Sequence, residues 1–501
     1  MNTRFTAFLA AALLALAGGQ AQAQGGTPEV RIASGSLAGT RDGDVVSFKS
    51  IPYAAPPVGA LRWEPPQPAA PWRGVRPADK LGAICEQKYQ PADNGVGPLP
   101  MSEDCLTLNV FAPANARRAP VMFWIHGGGF VNGSGTAALY DGTALARQGV
   151  VVVTINYRLG RFGFFAHPAL TAEPGNKPVG NYALMDMIAA LKWVRANIGR
   201  FGGDPGQVTI FGESAGGIAV NDLMVSPAAR GLFERAIVES GVGREPVPTL
   251  AEAERAGASF AKSLGLDSPS AADLRGLSAE RILKAGEPDL FGGFGAMVDG
   301  RILTVGPLAG FRAGREANVP YIVGWNALEF PLPPSGLDTR LRADSPLTPD
   351  VRKRIAPAYP SPQSYDQNIV SDVLFVEPAV ALARLHSAQG RPTRVYQFSV
   401  LPKAAPPFFK GTPHAFERQY VFRTLNTSPI PTDANDSAQA ETMSAYWVAF
   451  AKSGNPNGAN RVAWPAFSAA GEEIMEFTNE GPRTSGIPRK AGLAALSAAY
   501  R

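Results

Sequence analysis

Residues 208–217 read VTIFGESAGG, and this stretch decides the fold. Its first four residues are β-branched or aromatic, which is typical of a buried strand. A Gly-x-Ser-x-Gly turn follows, and then the helix-compatible run 218–224. This order places Ser214 at the tip of the turn and directs the N–H groups of the helix start towards it. The pattern favours a serine nucleophile over a plain glycine-rich turn, although matches this short also arise by chance.

Strands and helices alternate on both sides of this stretch. Apolar β-branched runs predict strands at residues 106–111, 120–125, 149–157, 235–239, 319–324, 394–400 and 474–477. Helical spacing predicts helices at residues 181–198, 250–264, 375–386 and 440–452. The alternation predicts an α/β fold with one large, mostly parallel sheet covered by helices on both faces. No internal repeat or composition shift marks a second domain, so we expect a single domain over residues 24–501.

The composition is that of a globular protein. Of the 501 residues, 45% are hydrophobic and 18% are charged, which excludes a disordered chain. The formal net charge is only +5, and the sequence has no dense Lys/Arg block, so we expect no nucleic-acid partner. The mild positive charge is compatible with an anionic substrate and indicates nothing more.

The first residues have the features of a secretory signal peptide, which we expect to comprise residues 1–23. A charged start precedes the apolar run 5–17, and an Ala-x-Ala pattern ends at Ala23. The apolar run is too short to span a membrane comfortably, so we expect cleavage after Ala23 and no membrane anchor. An uncleaved anchor is the alternative. The cleaved protein would be exported, either to the periplasm or out of the cell.

The chain has two cysteines, Cys85 and Cys105. In an exported protein an even pair suggests one disulfide, and two free buried thiols are the alternative. The bridge would close a loop of about 20 residues and stabilise the fold by roughly 3 kcal/mol.

A serine nucleophile needs a general base, and the chain offers four histidines. His126 precedes three glycines and is expected to shape that loop, and His167 precedes a proline. His386 is expected at the surface end of a helix. His414 lies on a loop after a strand, where the bases of open α/β sheets are found. Elimination favours His414 as the base, with an exposed loop histidine as the alternative.

Backbone N–H groups are the expected oxyanion donors. Three glycines follow the strand at 120–125, and they let the backbone approach a substrate closely. We expect the N–H groups of Gly128, Gly129 and Ala215 to form an oxyanion hole. A merely flexible glycine loop is the alternative.

The acid that orients the base is the hardest group to place by position. Glu329 is favoured because it follows the buried strand at 319–324 on a short loop, between the serine and the histidine in chain order. Position alone leaves other carboxylates open, among them Glu239, Glu245, Asp289 and Asp299.

Together these motifs resemble those of the type-B carboxylesterases, the family of bacterial para-nitrobenzyl esterases and cholinesterases. The resemblance runs from about residue 30 to residue 464. Residues 48–63 resemble the family's opening Pro-rich segment. Residues 103–110, EDCLTLNV, resemble its second signature, in which Cys105 is half of a disulfide. Residues 197–217 resemble its serine signature.

The resemblance also points to the acid. In the family a Gly-x-Asn-x-Asp-Glu-Gly loop carries the glutamate, and here residues 324–330 read GWNALEF, which favours Glu329. Leu328 and Phe330 stand where Asp and Gly are usual. Ala415 stands where the His-Gly-x-Glu pattern has Gly.

The resemblance implies an α/β-hydrolase fold and a serine carboxylic-ester hydrolase. Such an enzyme forms an acyl-enzyme with a small or medium ester and needs no metal or organic cofactor. We expect a monomer or a weak oligomer. An amidase or lactonase with the same three residues, or a non-catalytic binding module of this fold, are the alternatives.

Six further residues are expected near the site. Glu213 and Ser240 resemble residues that the family places beside the catalytic group, and either can be merely structural. Aromatic residues close in sequence to the predicted site are expected to line a substrate pocket, with core packing as the alternative: Phe130, Trp325, Phe408 and Phe409.

Overall fold

An eleven-stranded sheet forms the centre of the computed structural model, which describes residues 27–91, 99–175, 177–241, 247–285, 295–330, 347–468 and 470–500. The strands are β1 Glu29–Ile32, β2 Gly35–Ala38, β3 Thr40–Asp42, β4 Val45–Pro52, β5 Val75–Pro77, β6 Thr107–Pro113, β7 Ala119–Ile125, β8 Val151–Ile155, β9 Phe164–Phe165, β10 Gly180–Asn181, β11 Gly203–Glu213, β12 Arg235–Glu239, β13 Tyr321–Asn326, β14 Thr393–Phe398, β15 Glu473–Thr478 and β16 Gly481–Gly486.

The order of strands across the large sheet is β16-β15-β14-β13-β12-β11-β7-β8-β6-β4-β3. The seven neighbours from β15 to β8 are parallel, and the outer pairs are antiparallel. The predicted α/β fold with a mostly parallel sheet is therefore confirmed. Two small sheets, β1-β2-β5 and β9-β10, lie outside it.

Helices connect the parallel strands, as parallel pairing requires. Those predicted at residues 181–198 and 250–264 are present with ends that differ by one residue, and the one predicted at 440–452 begins earlier, at Ala434. The α-helices of the described residues are Thr143–Ala146, Gly160–Gly163, Pro168–Thr171, Tyr182–Asn197, Ala215–Val225, Leu250–Ser263, Ala271–Arg275, Ala279–Lys284, Pro307–Arg312, Pro349–Ile355, Pro362–Ser371, Glu377–Ala388, Arg418–Phe422, Ala434–Ser453 and Lys490–Ala499.

Both faces of the sheet are buried in apolar cores. Alternate residues of a strand point to opposite faces, and β7 shows the result. Its Phe123 and Ile125 belong to one core cluster, whereas Met122 and Trp124 belong to another. This double burial explains why the parallel strands appear in the sequence as continuous apolar runs.

One predicted helix differs from the structure. The helix expected at residues 375–386 is Glu377–Ala388, and the π-helical segment Asp372–Val376 precedes it. The surface position predicted for His386 is wrong, because the residue is fully buried. Its Nδ1 lies 3.1 Å from Glu316 Oε1, and its Nε2 lies 3.0 Å from the Val319 carbonyl oxygen. The segment that leads into β13 covers this helix end.

Cys85 and Cys105 form a disulfide, so the two-thiol alternative is excluded. The predicted signal peptide, residues 1–23, lies outside the described residues. Among the helices of the described part of the chain, none has the length and apolar character needed to cross a bilayer.

We expect the double substitution Cys85→Ser/Cys105→Ser to lower the free energy of unfolding by about 3 kcal/mol, because the bridge restricts the unfolded chain. Denaturant unfolding of wild type and variant measures the loss. A reducing agent should destabilise the wild type and leave the double variant unchanged. Equal stability of the two oxidised proteins would contradict the expectation.

Candidate active site

Ser214 occupies a strained turn between β11 and the helix Ala215–Val225. Its backbone angles, φ 55° and ψ −122°, are rare for a residue with a side chain. The backbone passes so close that a Cβ atom at Gly216 would lie 2.0 Å from the Ile125 carbonyl oxygen. The glycine of the Gly-x-Ser-x-Gly pattern therefore lets the helix pack against β7 while Ser214 stays partly accessible.

Three predicted residues meet at this turn. His414 Nε2 lies 2.9 Å from Ser214 Oγ, and His414 Nδ1 lies 2.6 Å from Glu329 Oε2. The histidine side chain is 17% exposed, whereas the Glu329 side chain is fully buried. The hydroxyl can therefore pass its proton to an imidazole whose other nitrogen donates to a carboxylate.

The carboxylate is fixed by two further donors. The Ser240 hydroxyl and the Asn326 backbone N–H both donate to Glu329 Oε1, at 2.7 Å each. Oε2 remains for His414. Ser240, predicted beside the catalytic group, thus contacts the acid directly and lies at the end of β12.

The loops that carry Glu329 and His414 are hydrogen-bonded to each other. Leu328 N donates to the Thr412 carbonyl at 3.0 Å, and His414 N donates to the Glu329 carbonyl at 2.9 Å. The Asn326 amide adds a bond of 2.8 Å to the Pro413 carbonyl. The position of the acid therefore sets the position of the histidine.

The glycine loop after β7 presents unused donors beside Ser214. In the described part of the chain, no group accepts a hydrogen bond from the N–H of Gly128 or Gly129. The N–H of Ala215 belongs to the first residue of a helix and has no acceptor within it. The three predicted oxyanion donors thus lie at the ends of the adjacent strands β7 and β11.

Side chains outside the loop hold it in shape. His126 stacks on Tyr157 with ring centroids 4.3 Å apart, and the Tyr157 hydroxyl donates to the His126 carbonyl at 2.7 Å. Gln87 bonds both backbone groups of Gly133, donating to its carbonyl at 2.9 Å and accepting from its N–H at 2.8 Å. The prediction that His126 shapes the loop agrees with these contacts.

Buried carboxyl groups surround His414. Glu213 Oε1 lies 3.3 Å from His414 Nε2, and Arg418 Nη1 lies 3.9 Å from Glu213 Oε2. Burial, aided by the carboxylates of Glu213 and Glu329, raises the pKa of Glu417 to about 8. Burial also raises the pKa of Glu239 well above its usual range, and Glu417 adds to this. Glu239 and Glu417 therefore favour the neutral form at neutral pH.

The charged carboxylates favour the protonated form of His414. Burial lowers the pKa of His414, but Glu213 and Glu329 outweigh it and raise that pKa from 6.5 to about 9. Glu213, predicted beside the nucleophile, therefore faces the same imidazole nitrogen as Ser214. It can stabilise an imidazolium formed when the serine loses its proton.

The predicted pocket aromatics have different surroundings. Trp325 is fully buried, and its indole N–H donates to Gln397 at 3.0 Å within the core. Phe408 is 64% exposed and packs on Phe409, with ring centroids 4.6 Å apart. Trp325 therefore packs in the core, which was the alternative for each of these residues. A pocket-lining role for Phe408 and Phe409 stays a prediction.

Different aromatic rings contact the histidine. Phe330 and Phe375 have ring centroids 5.4 Å and 4.9 Å from that of His414. Phe130, next to the glycine loop, is buried and packs edge-on against Phe164. Sequence reasoning missed Phe375, because no motif marks a helical phenylalanine. It noted Phe330 only as a departure from the family pattern.

The other two departures have local explanations. Leu328 is buried, and a Cβ atom at Gly411 would lie 2.8 Å from Leu328 Cβ, so leucine fills the space against the histidine loop. Ala415 has φ 65°, in the left-handed region that favours glycine. Alanine is therefore strained there.

The other acid candidates are placed elsewhere or outside the described residues. Asp299 accepts from three backbone N–H groups of its own turn, residues 301–303. Glu239 bonds the Trp447 indole at 2.7 Å. Glu245 and Asp289 lie outside the described residues. Where the structure describes the chain, no three His, Cys, Asp or Glu side chains are grouped so as to hold a metal ion.

Comparison with known proteins decides the family. The profile of the carboxylesterase family matches residues 26–343 and 357–494. The chain belongs to the carboxylesterase family. It is 37% identical over 470 residues to the para-nitrobenzyl esterase of Bacillus subtilis (strain 168), covering 89% of this chain and 94% of that protein. It is 36% identical over 484 residues to the fumonisin B1 esterase of Sphingopyxis macrogoltabida, covering 91% and 88%.

Solved structures agree with the sequence relatives. A PNB esterase structure superposes with a TM-score of 0.84 at 35% identity, covering 94% of this chain and 99% of that one. The α/β-hydrolase fold expected from the resemblance is thereby confirmed. This carboxylesterase is a carboxylic-ester hydrolase.

We expect Glu213→Gln to lower the pKa of His414 in this carboxylesterase. A general base must be neutral to accept a proton. The raised pKa of His414 therefore places the acid limb of the kcat/KM profile at a pH above 6.5, the ordinary pKa of histidine. Loss of the charge should move that limb to lower pH by roughly one unit or more. The pH profile of ester hydrolysis measures the shift.

Glu441→Gln is the matched control, because Glu441 is an exposed carboxylate that pairs with Arg423. Its profile should coincide with that of the wild type. An unmoved acid limb in Glu213→Gln would show that this carboxylate does not act on the histidine.

Proposed function

We propose that Ser214 is the nucleophile, His414 the general base and Glu329 the orienting acid of this esterase. The hydrogen-bond chain from Ser214 Oγ through His414 to Glu329 carries the proposal, with steps of 2.9 Å and 2.6 Å. The hydrogen bonds given for the other histidines go elsewhere: His126 Nδ1 lies 2.8 Å from the Gly127 carbonyl oxygen, His167 Nδ1 accepts from the Ala169 N–H at 3.0 Å, and His386 Nδ1 lies 3.1 Å from Glu316 Oε1.

The reaction follows from these positions. His414 Nε2 takes the hydroxyl proton while Ser214 Oγ forms a bond to the ester carbonyl carbon, and the carbonyl electrons move to its oxygen. The tetrahedral intermediate then expels the alcohol, which takes the proton from Nε2. Water repeats the sequence on the acyl-enzyme and releases the acid. Glu329 holds the imidazole in the required tautomer throughout.

The N–H groups of Gly128, Gly129 and Ala215 are proposed to bind the negative oxygen of the intermediate. Their positions at the ends of β7 and β11 support this, because they are set before any substrate arrives. Each such donor is typically worth roughly 3 kcal/mol of transition-state stabilisation.

Ser214→Ala should abolish ester turnover, with a loss of at least about 1,000-fold in kcat, because the covalent step needs the hydroxyl. An organophosphate should label the wild type at Ser214 and leave the variant unlabelled. Ser226→Ala is the control, since Ser226 is buried and bonds the Ile302 carbonyl. Wild-type turnover in Ser214→Ala would rule the proposal out, and an unlabelled, inactive wild type would point to a binding module.

The substrate is proposed to be a small or medium carboxylic ester. The described site holds Ser214 and His414 beside apolar rings, Phe330 and Phe375, which suits an ester with an uncharged alcohol or acyl group. Short p-nitrophenyl esters, long-chain esters, anionic esters and anilides, compared by kcat/KM, rank these classes. Faster anilide than ester hydrolysis would favour an amidase.

The protein is further proposed to leave the cytoplasm through cleavage after Ala23 and to act as a single domain over residues 24–501. The Cys85–Cys105 disulfide supports an oxidising compartment. N-terminal sequencing of protein exported by a bacterial host should begin at Gln24, and Ala23→Arg should block this cleavage. Exported protein that keeps Met1 would contradict the proposal.

We also propose a monomer or a weak oligomer. Exposed large apolar side chains are few among the described residues, which suits a protein without an extended apolar interface: Val58, Val75, Leu81, Met101, Phe408 and Val462.

A further inference from the structure

The imidazole of His414 lies against two phenyl rings. The Phe330 ring is nearly parallel to it, at an interplanar angle of 29° and a centroid distance of 5.4 Å. The Phe375 ring lies at 43° and 4.9 Å. Both distances are within the range of about 6 Å in which an aromatic face attracts a cation.

The two rings are also held to each other. Their centroids are 5.6 Å apart, and the Phe330 backbone N–H donates to Ser371 Oγ at 3.2 Å. Ser371 directly precedes the π-helical segment Asp372–Val376, which carries Phe375. Such segments are rare, and many lie at functional sites.

We propose that Phe330 and Phe375 are positioning residues that hold the His414 imidazole in line with Ser214 and favour its protonated form during turnover. This aromatic clamp, Phe330 and Phe375, rests on the proposed role of His414 as the base. It acts at the moment when the histidine carries the serine proton, because a phenyl face attracts an imidazolium more than a neutral imidazole.

Charged groups also face His414, and the clamp adds to their effect. Glu213 at the end of β11 and Glu329 after β13 act on it directly as carboxylates, and Glu417 on the histidine loop acts on it only in the fraction that is ionised. Arg418 lies beyond Glu213, and Glu239 interacts with Glu213 and Glu417. On the segment of Phe375, the carboxylate of Asp372 pairs with Arg489, and Glu377 begins the next helix.

These carboxylates act on His414 through their charge and do little to restrain the orientation of its ring. The hydrogen bonds at its two nitrogens lie in the plane of the imidazole and resist only weakly a tilt out of that plane through the χ1 and χ2 torsions. A ring against its face opposes that tilt. The clamp therefore restrains a motion that the hydrogen bonds to Ser214 and Glu329 resist weakly.

The test uses Phe330→Leu and Phe375→Leu, which keep apolar bulk and remove the ring. Each should move the acid limb of kcat/KM to lower pH by roughly half a unit. Each should lower kcat by roughly tenfold and change KM little, because the imidazole is less well aligned. Phe330→Tyr and Phe375→Tyr keep a ring and should restore the limb.

Phe311→Leu is the matched control. Phe311 is a buried phenylalanine whose ring centroid is 5.8 Å from that of His386, far along the chain from Ser214. It should reduce thermal stability and leave the acid limb of kcat/KM in place. An equal shift in this variant would mean that the effect is general loosening of the core, which overturns the proposal.

A second measurement separates the clamp from the proposed function. The downfield Nδ1–H proton resonance of His414 reports its titration in NMR spectra without any substrate. The Leu variants should titrate at lower pH than the wild type, and the Tyr variants should match it. Unchanged titration overturns the clamp even if the protein is an active esterase. A shift in a protein with no ester turnover supports the clamp and rejects only the proposed function. Phe330→Met replaces Phe330→Leu if the latter does not fold.

Discussion

Parallel pairing of five neighbouring strands is the constraint on which the site depends. In the order β7, β11, β12, β13, β14, the carboxyl ends lie side by side at one edge of the sheet. The registers match closely, with Gly212 beside Ile125, Glu213 beside Glu239, and Glu239 beside Gly324. Each strand then delivers one component: the glycine loop, Ser214, Ser240, Glu329 and His414. A slip of one residue in any pair would turn the delivered side chain to the other face.

The same pairing brings like charges together. Glu213 and Glu239 are register partners on adjacent buried strands, and Glu417 lies on the loop beyond β14. If all were ionised, the four carboxyl groups of this cluster, Glu213, Glu239, Glu329 and Glu417, would repel one another strongly in a medium of low dielectric constant. Raised pKa values keep Glu239 and Glu417 neutral, so that Glu213 and Glu329 can act on the histidine. Of these four carboxyl groups, two are therefore neutral and two carry the charge that acts on the histidine.

Local patterns predicted most of the fold and the centre of the site. The Val208–Gly217 stretch specifies its own strand, turn and helix, and the loops after buried strands indicate where Glu329 and His414 lie. Contacts between distant parts of the chain were beyond local patterns. His386 is buried by a segment 70 positions away, and the π-helical segment shifts the helical face on which Phe375 lies. Trp325 is close to Glu329 in sequence, but the alternation of β13 directs its side chain into the core.

The pair of hydrogen bonds between Gln87 and Gly133 connects the region of the disulfide to the glycine loop beside Ser214. Gln87 follows the disulfide cysteine Cys85 by two residues, and Gly133 belongs to the loop that also contains Gly128 and Gly129. The crosslink therefore braces the glycine loop as well as the fold. Protein made under reducing conditions would keep Ser214, His414 and Glu329 in register but lose part of this support. The specific activity of the folded protein then depends on whether the disulfide formed during its preparation. The yield of soluble protein is therefore a poor measure of the yield of active enzyme.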